Sequence, residues 1–331
     1  MSNKFNSLFL ALRYQPQGII FRGNVKVKNV KDVDSAIRKS LSRYNKEETG
    51  LLLSGGMDSG ILASYLTGCN AYTFRDPYGL FDNEIERAKK YCNKYNLKLN
   101  YVDIDFDKML PRLDTIMRFR GEPVHSIEPQ IYLAALQAKN DGIKTMIIGD
   151  AADFVFCGFD KVFSQDWEYE AGKKRYIYVD PSDVLKDPYD IDYVFEPYRK
   201  GKMIDMARLM LDELGPEESY LSYDDAFRCA GIDYFDPYEN LIRDFELDFE
   251  RIKRGDSKYI IRELYKMKYP EFEIPEKIPM PRPVDIYFKD YEGPTNEVFK
   301  DFDIAQMTGN QKWLIWCLDR WLNEIHNNVR R

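Results

Sequence analysis

The chain has 331 residues, is 44% hydrophobic and 31% charged, and carries a formal charge of −7. That length allows one large domain or two intimate ones with ample core, and acids and bases that are interspersed, not blocked, argue against a nucleic-acid protein. Five cysteines (69, 92, 157, 229 and 317) show no CxxC pairing, which points to a reduced, cytoplasmic setting and away from a disulfide framework or zinc ribbon.

The apolar run Leu8–Leu12 has no cleavage-site pattern, and no segment is long enough to span a bilayer. Residues 1–30 offer short β-like pieces at Gly18–Phe21 and, alternating with period two, at Asn24–Val30. Residues 32–44 predict an amphipathic helix with Val33, Ala36, Ile37, Leu41 and Tyr44 on one face. Leu51, Leu52 and Leu53 then read as the end of a buried, parallel strand. In the turn Ser54-Gly55-Gly56, missing Cβ atoms let backbone N–H groups approach a ligand. Asp58 and Ser59 open a helix whose apolar stripe is Ile61, Leu62, Tyr65 and Leu66. Strand, glycine turn and helix N-terminus together make an anion site. No Lys-Ser/Thr pair follows the glycines, so it is not a Walker A loop. An acid there makes sense chiefly if it holds a divalent cation on phosphates. Alone, the same residues read equally as an ordinary turn with an N-cap.

Further strands are expected at Ala71–Phe74, Leu99–Ile104 and Met146–Ile148, with helices at 83–95, near 107–119 and through Tyr132–Ala138. This alternation implies an α/β fold with a doubly wound parallel sheet, whose ligands bind at the carboxyl ends of the strands. Gly149-Asp150-Ala151-Ala152-Asp153-Phe154 leaves the last of those strands toward the same crevice, although Asp150 and Asp153 alone could be helix caps. Residues 200–214 and 216–231 read as helical, and Trp313–Ile325 as a terminal core helix. The expected division is a short β/α segment (1–45), a nucleotide-binding core (46–180) and a mostly helical portion completing the substrate site (181–331). His125 and His326 are too few for a histidine metal site, and neither is assigned a role.

Ser54-Gly55-Gly56-Met57-Asp58-Ser59 resembles the SGGxDS loop of PP-loop (HUP-like) ATP pyrophosphatases, and Gly149–Phe159 resembles the second signature of asparagine synthetases. Weaker likenesses follow at Gly231–Tyr238, at Ser257–Leu264, similar to that family's K-x-x-L-R helix, and at Ile274–Pro283. The resemblance, spanning about residues 50–290, implies an ATP-dependent ligase that adenylates a carboxylate, releases pyrophosphate and passes the acyl group to ammonia or an amine. ATP and Mg2+ are the implied cofactors. Asp58 and Asp153 match the magnesium-binding acids. Ser54, Gly55, Gly56 and Ser59 would cradle pyrophosphate, and Leu53, Thr73, Phe74 and Gly149 match positions holding adenosine. Asp150 would orient or deprotonate the nucleophile. Arg282 or Lys277 would offset charge on the leaving group, with Lys173 and Lys174 as weaker candidates.

Residues 1–45 are too few for the family's glutaminase domain, and Ser2 stands where its cysteine would follow Met1, so a separate glutaminase subunit, free ammonia or a substrate amine is expected as nitrogen source. Ala151 and Phe154 replace a glycine and an acid of the second signature, and Pro281 and Pro283 break the basic R-x-K segment. The expected partners are a small-molecule or peptide carboxylate and that nitrogen donor, with neither membrane nor nucleic acid; a homo-oligomer is left open. Two other readings stand beside the ligase: another PP-loop activity such as tRNA-base thiolation, and a degenerate nucleotide-binding module without turnover.

Overall fold

Successive strand side chains point to opposite faces, so three consecutive leucines suit a strand only if both faces are covered. The computed structural model describes residues 2–21, 23–277 and 280–325, and it uses Leu51–Leu53 in that way. Along the chain the strands are β1 (Val25–Val27), β2 (Thr49–Leu52), β3 (Asn70–Arg75), β4 (Lys98–Asp103), β5 (Thr145–Ile147), β6 (Arg199–Lys200), β7 (Met203–Ile204), β8 (Asp233–Phe235) and β9 (Leu241–Arg243). The first seven helices bearing on the site are α1 (Asn3–Leu12), α2 (Val30–Leu41), α3 (Met57–Ala63), α4 (Asp82–Tyr95), α5 (Phe106–Arg120), α6 (Glu128–Asn140) and α7 (Ala152–Phe156).

Among the described residues one sheet has the order β4-β3-β2-β5-β8, every neighbouring pair parallel. Leu52, Tyr72, Phe74 and Met146 face a core built with α5, α6 and the helix Leu214–Ala230. Leu51, Leu53, Ala71 and Ile147 face a second core built with α2, α3, α4 and the helix Tyr259–Lys268. Each fully buried leucine contributes about 1.5–3 kcal/mol of transfer free energy. The doubly wound α/β sheet read from the sequence is the observed fold. Chain direction along the sheet reverses between β2 and β5, and at such a switch point the loops after the two strands part to leave a crevice.

Expected boundaries at 45 and 180 do not separate the cores. Strand β8 joins the main sheet, β9 pairs with β1 in parallel, and α1 contributes Phe9 and Leu10 to the core shared with the C-terminal helix Gly309–Arg320. No strand forms at Gly18–Phe21, the piece expected at Asn24–Val30 shortens to Val25–Val27, and two helical regions also depart from the sequence reading. Residues 3–12 form a helix, capped where Phe5 N donates to Ser2 Oγ at 3.3 Å. Asn6 through Leu12 are buried on every side, so the helix shows no amphipathic period to read. Residues 200–214 are not one helix: Gly201, at φ +63°, turns β6 into β7, and a five-residue π-turn over Arg208–Asp212 follows. No helix among the described residues is long and apolar enough to cross a membrane.

Candidate active site

The turn after β2 and the loop after β5 meet over the switch point. Ser54 Oγ lies 3.0 Å from Ser59 Oγ, and Ser54 N donates to Ser59 Oγ, which folds the loop back onto the start of α3. Gly55 has φ +73°, and a Cβ there would lie 2.3 Å from the Glu84 carbonyl oxygen. Its own carbonyl accepts from Arg87 Nε at 2.9 Å. Gly55 therefore shapes the turn against α4 and does not itself line the cleft.

Asp58 and Asp153 come from the two different strand ends and converge on one ammonium. Lys258 Nζ stands 2.6 Å from Asp58 Oδ2 and 2.6 Å from Asp153 Oδ1. Lys277 Nζ reaches the same Asp153 oxygen at 2.5 Å and donates to the Gly158 carbonyl. The Lys258 side chain is 4% exposed, and its residue adopts left-handed backbone geometry at φ 49°. A buried lysine in a conformation that costs about 1–3 kcal/mol persists only where its surroundings over-determine it, a pattern concentrated at functional sites. Gly158 makes room for it: a Cβ there would lie 1.8 Å from Asp153 Oδ1 and 2.4 Å from Lys258 Cε.

The electrostatics follow from that arrangement. Burial raises Asp58, and Asp153 adds to it, against the opposing pull of Lys258. Burial also acts on Asp153, but Lys258 and Lys277 together outweigh it and hold this carboxyl below its ordinary value. Burial would lower Lys258, yet the two carboxylates overcome it and hold the ammonium charged. Asp58 Oδ1 is buried and accepts no hydrogen bond from a described residue. No group of three or more His, Cys, Asp or Glu that could hold a metal occurs among the described residues, so the protein's own contribution to a cation there is this carboxylate pair. Asp150 accepts a hydrogen bond from Ser219 Oγ, and burial pushes it up to about 7 despite that bond.

Leu53, Ser54, Gly56, Asp58, Ser59, Phe74, Gly149, Asp150, Asp153 and Lys277 all line this cleft. Thr73 does not; it is 1% exposed and its hydroxyl has no hydrogen-bond partner among the described residues. Arg282 is also elsewhere, with Nη1 3.2 Å from His125 Nε2, a nitrogen shared with Arg13 at 2.9 Å. Burial and the neighbouring Arg13 lower Arg282 to about 10. Lys173 is engaged by Glu170 and Asp192, and neither it nor Lys174 lines the cleft. His326 and Ile278 lie outside the described residues. Lys258 was not among the nominated cations, although the Ser257–Leu264 likeness to a K-x-x-L-R helix contained it. Ser219 carried no sequence signal.

A second, larger cavity of about 510 Å³ abuts the cleft, sharing Ile148, Asp150 and Tyr223 with it. Asp150 thus stands at the junction of the two spaces.

A parallel sheet with a glycine turn and an acid pair at its switch point is the arrangement of an α/β protein of the PP-loop type. The sequence profile of asparagine synthase matches residues 32–212, more than half of the chain, and the chain belongs to that family. No curated protein matches it. Among solved structures it is similar to the U34-tRNA thiolase NcsA from Methanococcus maripaludis (15% identity, 75% of this chain and 82% of that one, TM-score 0.30). It is also similar to NMN synthetase from Francisella tularensis (12%, 75% and 96%, 0.28) and NH3-dependent NAD synthetase from Campylobacter jejuni (14%, 76% and 97%, 0.26).

Proposed function

We propose that the protein is an ATP-dependent, AMP- and pyrophosphate-forming ligase that adenylates a carboxylate and passes the acyl group to a nitrogen nucleophile. The observation that carries this reading is the convergence of Asp58, Asp153 and Lys258 at the switch point, directly beside the Ser54–Ser59 turn. Asp58 and Asp153 fit a magnesium ion, which takes one or two carboxylates and completes its shell with phosphate oxygens and water. Bound there, magnesium would offset charge on the phosphates. Ser54, Gly56 and Ser59, which line the cleft, would cradle the pyrophosphate, and Leu53, Phe74 and Gly149, which line it too, would hold the adenosine.

The chain's own groups divide the work. Lys258 and Lys277 supply fixed positive charge where the leaving pyrophosphate develops negative charge. Of the two, Lys258 is the better placed, because it is buried and held by both acids, whereas Lys277 is 41% exposed. Asp150, at the junction with the larger cavity, takes the proton of the attacking nitrogen. The acyl carbon gains a C–N bond and loses its bond to the AMP oxygen.

The test is to incubate the protein with ATP, Mg2+ and panels of acids and amines and to measure pyrophosphate. Acid-dependent pyrophosphate release that is lost in Asp58→Asn and Asp153→Asn supports the reading. Release that survives both substitutions sinks the metal assignment, and binding of ATP without turnover across the panel favours a nucleotide-binding module.

A further inference from the structure

The larger cavity has a composition unlike that of the cleft it joins. Phe21, Phe154, Tyr220, Tyr223 and Tyr234 supply aromatic walls, and Leu211, Leu241 and Ile242 supply aliphatic ones. Its volume of about 510 Å³ falls in the roughly 300–1,000 Å³ range of sites for drug-sized ligands, far beyond what ammonia needs. Phe154, which stands where the resembling signature has an acid, forms part of this apolar wall.

The ionisable groups inside are one-sided. Among the described lining residues, Asp150, Asp212, Asp236 and Glu239 are acids and Arg243 is the single base. Arg243 Nη1 already donates to the Val155 and Phe154 carbonyls, and Nη2 lies 3.6 Å from Asp212. Asp236 accepts from the backbone N–H groups of Ala151 and Tyr238. Glu239 receives no hydrogen bond or ion pair from a described residue and is half-buried. Among the described lining residues, a carboxylate placed here would meet four acids and no uncommitted cation, whereas an ammonium would meet an unpaired carboxylate. Small polar acids such as aspartate also match neither the volume nor the walls.

We infer that this cavity receives the nitrogen nucleophile, and that the nucleophile is a primary amine on an apolar body of aromatic size, not ammonia. The inference rests on the ligase reading above and names the substrate class of its second half-reaction. Aromatic walls hold the body by apolar burial and ring contacts, and Glu239 and its acidic neighbours select the cationic head. Delivered past Asp150, the ammonium loses one proton to water to become the free amine, its nitrogen bonds to the acyl carbon and gives its second proton to Asp150, and AMP departs with the electrons of the broken C–O bond.

Tryptamine and indole-3-propionate have the same ring and differ in the sign of the terminal charge, so they separate the claims. Calorimetric titration of the full chain without nucleotide is expected to show tryptamine binding at least tenfold more tightly than the acid. Glu239→Gln is expected to weaken tryptamine at least threefold, and Ile242→Trp, at a rim position 37% exposed, to weaken it by blocking the mouth; thermal melts check that both variants fold. Equal or tighter binding of indole-3-propionate overturns the inference, as does tryptamine binding that neither substitution alters. A parallel ATP titration separates the two levels. If ATP binds and tryptamine does not, the amine assignment falls and the ligase reading stands. If ATP does not bind, the ligase reading falls and takes the amine assignment with it.

Discussion

Replacing Lys258 by Met removes the ammonium that the two acids share while keeping a side chain of similar length. Asp58 Oδ2 then loses a contact of 2.6 Å in a pocket where its other oxygen has no partner. Breaking a buried ion pair from one side costs about 3–5 kcal/mol, because an uncompensated charge remains. Asp153 keeps Lys277, but that lysine is 41% exposed and its attraction is screened, so the expected loss lies near the low end, about 3 kcal/mol. Urea unfolding at pH 8 measures it. The defect has a sign in pH: without Lys258, Asp58 rises further, and its protonation relieves the repulsion, so the gap to the parent protein narrows on acidification to pH 5. MgCl2 at ten times its dissociation constant would restore about 1.4 kcal/mol in the variant. A loss below about 1 kcal/mol that is unchanged between pH 8 and pH 5 refutes the view that Lys258 neutralises the pair.

Other consequences are equally open to measurement. Gly158→Ala places a methyl in the space of Asp153 Oδ1 and Lys258 Cε, and is expected to lower ATP affinity at least tenfold in calorimetry, with a fall in stability of about 1–3 kcal/mol from overpacking. Gly55→Ala meets both a positive φ and the Glu84 backbone; soluble yield and melting midpoint should drop, and an unchanged midpoint contradicts the turn assignment. The Asp150 carboxyl, held at about 7 by burial, works as a base only when ionised, so the amide-forming rate should rise with pH through about 7. The Ser219 hydrogen bond lowers that value, so Ser219→Ala should move the rising limb to higher pH; a downward shift rules the assignment out.

The sheet and its switch point were legible because the strand signals were local: Leu51–Leu53, Ala71–Phe74 and Met146–Ile148 are short apolar runs next to glycine turns. Asp58 and Asp153 were legible as residues, and their meeting followed from topology, since both leave strand ends that flank one crevice. Their bridging by Lys258 was not, because the lysine lies 200 residues from Asp58, in the turn just before a helix, with no strand to index it. Arg282 was a candidate by its neighbourhood in sequence, but its side chain turns to His125, whose Nε2 also meets Arg13. Helix α1 was missed because its buried face is the whole circumference. The large cavity could not be read at all: its walls draw on Ile20, Phe21 and Gly23 and on residues from the stretches 148–155, 211–223 and 234–243, and only the assembled fold brings these together.

The central claim is that this site cuts ATP between the α and β phosphates. Its most direct measurement is chromatography of nucleotide products after turnover with Mg2+, α-labelled ATP and an acid and amine that support reaction. AMP and pyrophosphate in equal amounts, abolished together by Asp58→Asn, is the predicted result. ADP and inorganic phosphate as products, or AMP formation indifferent to Asp58, would contradict it.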